Sequence, residues 1–297
     1  MKIHLCLLGK KGFFFLSGFI KNLNLNGMEL NIEVGRDKDV MNDYADDIFT
    51  LANENSINVT ERKIDFDYSV HDFVFAAGWR WLIKGVAANQ LIIIHDSLLP
   101  KYRGFCPLFN ALLNKESHVG VTALFGSDKY DAGGIITQSK IKVKYPIKIT
   151  EAVDLISVLY QDIANTIVGY IKNNHIPSRP QEESEASYSC WLDNSDYFIN
   201  WSDPAINIVH KIQLLGPPYS YAKTTINGAI LYLLEAELVK GILLERVDYG
   251  KVLMVEDGCP VVIAKDGLVK LCKVVDEESL SFLPIKKFRS RFGNDPF

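Results

Sequence analysis

Ile92-Ile93-Ile94 breaks into His95-Asp96-Ser97, and Leu98-Leu99-Pro100-Lys101-Tyr102-Arg103-Gly104 follows. The isoleucine run reads as a buried strand that ends directly in an imidazole and a stiff Pro-Gly loop. In open α/β sheets ligands sit beyond the carboxyl ends of strands, so a histidine placed there faces a crevice. A structural hydrogen-bonding histidine is the plainer reading of the same position.

The pattern around this strand supports that class. Residues 2–8 read as an apolar strand, Gly9-Lys10-Lys11-Gly12 as a turn, and 13–23 as a helix with its aromatic face inward. Strands are expected at 29–34, 73–77, 91–94, 120–125 and 134–143, and helices at 43–55, 105–114 and 150–172. Apolar strands alternating with helices predict an α/β fold, a doubly wound, mainly parallel sheet covered on both faces. The stretch 173–189 collects Asn, Pro, Ser and Glu and reads as a linker. Beyond it come a helix at 205–214 and short strands at 229–239, 251–255, 261–263 and 268–275, the pattern of a small β-rich domain. The expected division is 1–180 and 181–297.

Composition bounds the function. The 297 residues are 48% hydrophobic and 23% charged, enough for a sizeable core and against wholesale disorder. A net charge of -4 gives no global attraction to a polyanion, which favours small-molecule chemistry over nucleic acid. The basic run Lys286-Lys287-Phe288-Arg289-Ser290-Arg291 reads as a solvated end. Cysteines at 6, 106, 190, 259 and 272 form no Cys-x-x-Cys pair, so no metal is expected and a reduced cytoplasmic setting fits. The longest apolar runs, 12–20 and 86–94, are far short of the roughly 20 residues that span a bilayer. The apolar amino end runs into Gly-Lys-Lys-Gly with no small-residue cleavage site, and is expected to be a first strand.

Three further segments could carry chemistry. Ser127-Asp128-Lys129-Tyr130-Asp131-Ala132-Gly133-Gly134 leaves an apolar strand and forms a tight loop about thirty residues after the histidine. Asp131 is thereby placed where a carboxylate could orient His95 and raise its basicity. The first loop, with Lys10 and Lys11 at a helix start, could hold an anion. In the loop after the histidine, Ser97, Lys101, Tyr102 and Arg103 are candidates for gripping a phosphorylated acceptor, the guanidinium bidentately.

Together the His95 and Asp131 segments resemble the folate-dependent formyltransferases, which place a histidine before Ser-Leu-Leu-Pro and an aspartate in an Asp-x-Gly loop. Downstream, Tyr197-Phe198-Ile199-Asn200-Trp201-Ser202 and Leu215-Gly216-Pro217-Pro218-Tyr219 resemble the start of the carboxy-terminal domain of methionyl-tRNA and 4-amino-sugar formyltransferases. The loop Ser97–Gly104 with Asp131-Ala132-Gly133 is most similar to the branch that formylates nucleotide-linked amino sugars.

The resemblance implies transfer of a formyl group from 10-formyltetrahydrofolate to the amine of a UDP-, dTDP- or GDP-linked amino sugar, as needed for a bacterial surface polysaccharide. His95 would take part in proton transfer and polarise the formyl oxygen, with Asp131 positioning it. The pterin would lie on Gly78, Trp79, Arg80, Trp81 and Leu82, with Asp128 and Tyr130 completing its pocket. Two tryptophans around an arginine could stack on a flat ring or simply pack on the sheet. The second domain could supply a homodimer surface.

One position departs from the pattern. The family has Asn-x-His, and the asparagine donates to the developing oxyanion; this chain has Ile93 there. Losing one such donor typically costs roughly 10²–10³ in turnover. Methionyl-tRNA formyl transfer and a folate or sugar-nucleotide binding role without catalysis are the alternatives this leaves open.

Overall fold

The first unit's strands are β1 (Lys2–Leu7), β2 (Glu29–Val34), β3 (Asn58–Glu61), β4 (Phe73–Ala77), β5 (Leu91–His95), β6 (Arg103–Gly104), β7 (His118–Phe125), β8 (Ile135–Lys142) and β9 (Tyr188–Ser189). Seven of them form one sheet in the order β3-β2-β1-β4-β5-β7-β8. Pairing is parallel from β3 to β5, whereas β7 runs antiparallel to both β5 and β8. The sheet is therefore mainly parallel, as the alternating pattern predicts. This computed structural model describes residues 1–21, 27–38, 40 and 42–293. It divides into two compact units, Met1–Val143 with Glu151–Trp191, and Lys144–Thr150 with the residues from Leu192 on.

Helix α1 (Gly9–Lys21) starts at Gly9, so Gly-Lys-Lys-Gly is its first turn rather than a separate turn before it. The expected end at Leu23 lies outside the described residues. Phe15, Leu16 and Phe19 recur at helical spacing and are wholly buried, the rings of Phe15 and Phe19 lying 6.1 and 5.3 Å from that of Phe75 on β4. Each such buried side chain stabilises the fold by roughly 1.5–3 kcal/mol. After α2 (Ala45–Glu54) and α3 (Pro107–Leu113), α4 (Ile149–Lys172) buries Ile156, Tyr160, Ile163, Ile167 and Ile171 along one stripe.

Two expectations are corrected. Helices do not cover the sheet throughout: Phe66, Tyr68, Trp79, Ile83 and Val86 pack on Cys6 and Val74 from two irregular segments, 62–72 and 78–90. Nor is 173–189 a free linker. Tyr188–Ser189 pairs in parallel with Arg103–Gly104, Arg179 bridges to Ile135, and the first unit runs on past 180 to Trp191. Most polar residues of this stretch are exposed, but Gln181 and Glu183 pair with the buried Arg103.

The second unit contains α5 (Ala205–Leu214) and strands β10 (Ala222–Ile226), β11 (Ala229–Val239), β12 (Val252–Glu256), β13 (Cys259–Ile263), β14 (Leu268–Val275) and β15 (Phe292–Gly293). They form an antiparallel sheet ordered β12-β13-β14-β11-β10-β15. The buried Trp201 indole donates to Thr224 Oγ1 at 3.1 Å, and its rings lie 5.9 Å from Phe292.

Candidate active site

His95 is the last residue of β5, held between Thr122 on β7 and the loop that follows. It is 8% exposed. Its Nε2 lies 2.9 Å from the Tyr102 carbonyl oxygen, which can only accept, so Nε2 is the donor. Nδ1 faces Asp131 Oδ1 at 3.7 Å. Asp131 has a left-handed backbone, φ 50°, and its Oδ2 accepts the Gly104 N–H at 2.8 Å. Both loops are thus tied together through one carboxylate. A carboxylate so placed balances the charge on the ring when it takes a proton.

Beneath the histidine runs a second network that sequence reasoning missed. Asp96 accepts a hydrogen bond from Lys11 Nζ on α1 and another from the Tyr160 hydroxyl on α4, with the Ile94 carbonyl 3.0 Å from the same hydroxyl. Burial, and then the charge of Asp96, push the Tyr160 phenol well above its ordinary range, so it stays a donor. The one sequence signal was an ionisable residue immediately after the histidine.

Lys10, expected to help hold the substrate, points elsewhere: its ammonium pairs with Asp154 at 2.6 Å. Arg103 is also corrected. It is wholly buried, forks onto both Glu183 oxygens at 3.0 and 2.9 Å, donates twice to Gln181 Oε1 at 3.1 and 3.0 Å, and donates its fifth N–H to the Tyr188 hydroxyl at 3.3 Å. A guanidinium so satisfied has no donors left for a pyrophosphate. The Gln181 amide in turn donates to the carbonyls of Asp131 and Gly133 at 2.7 and 2.8 Å. Arg103 therefore clamps the Asp131 loop through Gln181.

The clamp is acid-sensitive. The Arg103 hydrogen bonds hold the Glu183 carboxyl below its ordinary value. A carboxylate lowered on folding stabilises above the ordinary value, near 4.5, and that contribution is lost as pH falls through the lowered one. Hydrogen exchange across 181–189 should show protection that is flat above pH 4.5 and lost below it. Glu183→Gln should weaken protection at neutral pH and remove the acid step.

Ser97, Lys101 and Tyr102 do come together, around a cavity of ≈ 310 Å³ that Glu116, His118 and Lys140 also line. The Ser97 hydroxyl donates to the Lys101 carbonyl at 2.8 Å and closes the loop. The Tyr102 hydroxyl donates to Glu116 at 2.9 Å. Lys101 and Lys140 are exposed at this cavity, giving it two cations of the kind that hold phosphate.

At the end of β4, Gly78 has φ 67°, and a Cβ there would stand 2.4 Å from the Leu8 carbonyl oxygen. Only glycine lets this backbone cross the end of β1. Trp79 packs into the core, Arg80 pairs with Asp37, and Trp81 lies between Trp79, at 4.8 Å, and the Arg62 guanidinium, at 4.5 Å. The tryptophans are therefore engaged with protein groups. Leu82 is 78% exposed, Asp128 is exposed, and Tyr130 is 71% exposed with its ring 6.1 Å from that of the half-exposed Phe105. Ile93 packs against Leu99, Leu124 and Ile135.

Residues 48–155 match the formyl transferase family, and residues 192–291 match the formyl transferase C-terminal domain. The chain belongs to the formyltransferase family. Among its relatives is the methionyl-tRNA formyltransferase of Staphylococcus aureus strain MW2, 34% identical over 149 residues, 50% of this chain and 48% of that protein. The chain thus spans about half the length of the curated formyltransferases it matches. Its fold is like that of an N-formyltransferase from Helicobacter canadensis solved with folinic acid and dTDP-3-aminofucose, with TM-score 0.67, 17% identity, and coverage of 91% of this chain and 98% of that one. WlaRD, a sugar 3N-formyl transferase solved with dTDP and 5-N-formyl-THF, has TM-score 0.65 and 20% identity, covering 92% and 98%. No helix among the described residues is long and apolar enough to cross a membrane.

Proposed function

We propose that this formyltransferase moves a formyl group from 10-formyltetrahydrofolate to the amine of a nucleotide-linked amino sugar. The observation that carries the reading is the pair His95 and Asp131, 3.7 Å apart at the carboxyl edge of β5 in a chain with both family domains. Fold neighbours solved with a formyl-folate and a dTDP-amino sugar or dTDP support the substrate class.

The folate supplies the formyl carbon when bound. The exposed Phe105 and Tyr130 rings, beside the Asp131 loop, fit a flat ligand there, with Gly78, Leu82 and Asp128 as further candidates. Tyr102 holds the imidazole through its carbonyl, and His95 accepts the proton the attacking amine gives up, with Asp131 balancing the charge, then returns it to the tetrahydrofolate nitrogen as its bond to the formyl carbon breaks. Ile93 has no hydrogen-bond donor, so charge on the formyl oxygen is met by His95 once it has taken the amine's proton. Lys101 and Lys140 would take the acceptor's phosphates at the Ser97–Tyr102 cavity.

The test offers the protein 10-formyltetrahydrofolate with UDP-, dTDP- and GDP-linked amino sugars, and separately charged initiator tRNA, and follows acceptor mass. A gain of one formyl group on a sugar is expected. A gain only on the tRNA, the reaction named for the sequence relatives, or binding of sugar nucleotide without product, overturns the proposal.

A further inference from the structure

His4 and Cys6 alternate on β1 and so project from one face of the sheet, and register sets Cys6 against Glu33 on β2. The three side chains are buried, at 1%, 0% and 0% exposure, and their donor atoms all lie within 4.8 Å of one another. Cys6 Sγ and His4 Nε2 are each 3.9 Å from the same Glu33 oxygen. Among the described residues, neither ring nitrogen of His4 has a hydrogen-bond partner. An enclosed imidazole without partners, beside a buried carboxylate, is costly unless a cation meets both.

We propose that His4, Cys6 and Glu33 bind one zinc ion. Zinc takes imidazole nitrogen and carboxylate oxygen at about 2.0–2.2 Å and thiolate sulfur at about 2.3 Å, in tetrahedral geometry. Tetrahedral placement at those lengths sets donors about 3.3–3.8 Å apart, so no pair in the cluster need close by more than about 1.5 Å. Cys6 binds as thiolate and gives its proton to solvent. The carboxylate is already oriented from outside the cluster: Tyr68 donates to one oxygen at 2.5 Å and the Lys63 N–H to the other at 2.6 Å. Such outer hydrogen bonds are what fixes a ligating carboxylate.

The place in the fold gives the ion a task. The segment 62–72 crosses this face without helix, and its Phe66, Tyr68 and His71 rings close over His4 at 4.6, 5.3 and 4.9 Å. An ion held by His4, Cys6 and Glu33 staples that segment to the sheet through Glu33. The ligands come from two strands, which is why no Cys-x-x-Cys spacing announced them.

The test strips the full chain with chelator and titrates it with Co²⁺, which reports thiolate ligation as charge-transfer absorption in the near ultraviolet. Saturation at one equivalent, displacement of the band by Zn²⁺, and a higher melting temperature with Zn²⁺ are expected. Cys6→Ser, checked by circular dichroism for folding, should lose the band, with Cys190→Ser as the control for the exposed thiol. Zinc content of the untreated wild type, by plasma mass spectrometry, keeps the proposal testable should Cys6→Ser not fold. A band that persists in folded Cys6→Ser, or a wild type with no zinc and no cobalt band, overturns the site.

Discussion

Replacing His95 with alanine should lower formyl transfer by about 10²–10⁴-fold, the usual contribution of a positioned acid–base group, while the melting temperature stays near that of the wild type. The side chain is 8% exposed, and its polar contacts are with the Tyr102 carbonyl and Asp131. Asp131 needs a finer variant, because its two oxygens do different work. One faces the imidazole and the other accepts the Gly104 N–H. Asp131→Asn keeps an acceptor for Gly104 but removes the charge opposite the ring, whereas Asp131→Ala removes both. The asparagine variant should therefore melt like the wild type and lose turnover, and the alanine variant should lose turnover and some stability. Single-turnover formyl transfer and thermal melts check this; wild-type rates in His95→Ala or Asp131→Asn would remove the pair from the chemistry.

His95 was legible because it stands where an apolar strand stops, a position that places a side chain without knowledge of its neighbours, and Asp131 because its Asp-Ala-Gly loop between β7 and β8 carries the family resemblance. Arg103 was misread for the opposite reason. A guanidinium in a polar loop reads as an outward hook, but its partner Glu183 lies 80 residues away in a stretch whose polarity itself read as linker. One polar segment reads as a grip for the acceptor and the other as a linker, and in the fold Arg103 of the first is satisfied by Gln181 and Glu183 of the second. Lys10 and Lys11 differ only in helical phase. Successive residues on a helix point about 100° apart, so Lys10 meets Asp154 while Lys11 meets Asp96 beside the histidine.

The fold shows the same division. Elements with a strong apolar period, such as β2, β4, α5, β11 and β14, have the bounds expected from the sequence. β3, Asn-Val-Thr-Glu at the edge of the sheet, and β10, Ala-Lys-Thr-Thr-Ile, were not expected. Three of four and three of five of their residues are polar, and period-two alternation that uses threonine carries little hydrophobic contrast. Ile93 joins both levels. On a strand it reads as one more core residue; in the structure it is partly buried, packed against Leu99, Leu124 and Ile135. An amide there would face apolar neighbours, so the chain has apolar packing where the family pattern it resembles has a donor.

Gly133→Ala should be as damaging to activity as removal of Asp131, although Gly133 has no side chain in the site. A Cβ at this position would stand 1.8 Å from the Phe125 carbonyl oxygen, a backbone atom that cannot swing aside. The loop has no slack to absorb the displacement. Phe125 N–H donates to the Gly134 carbonyl at 3.0 Å, and the Gly133 and Asp131 carbonyls are both held by the Gln181 amide. Moving Gly133 therefore moves Asp131, and the 3.7 Å approach to His95 is lost. Overpacking of this kind costs roughly 1–3 kcal/mol, and a domain of this size loses about 2–4 °C per kcal/mol. Gly134→Ala is the control, since a Cβ there would stop 3.3 Å from the Ser178 side chain, which can yield. Turnover should fall by at least about 10²-fold for Gly133→Ala, as for loss of the acid–base pair, and stay within a few-fold of wild type for Gly134→Ala. Equal rates in the two variants would mean that the loop does not hold Asp131 to its task.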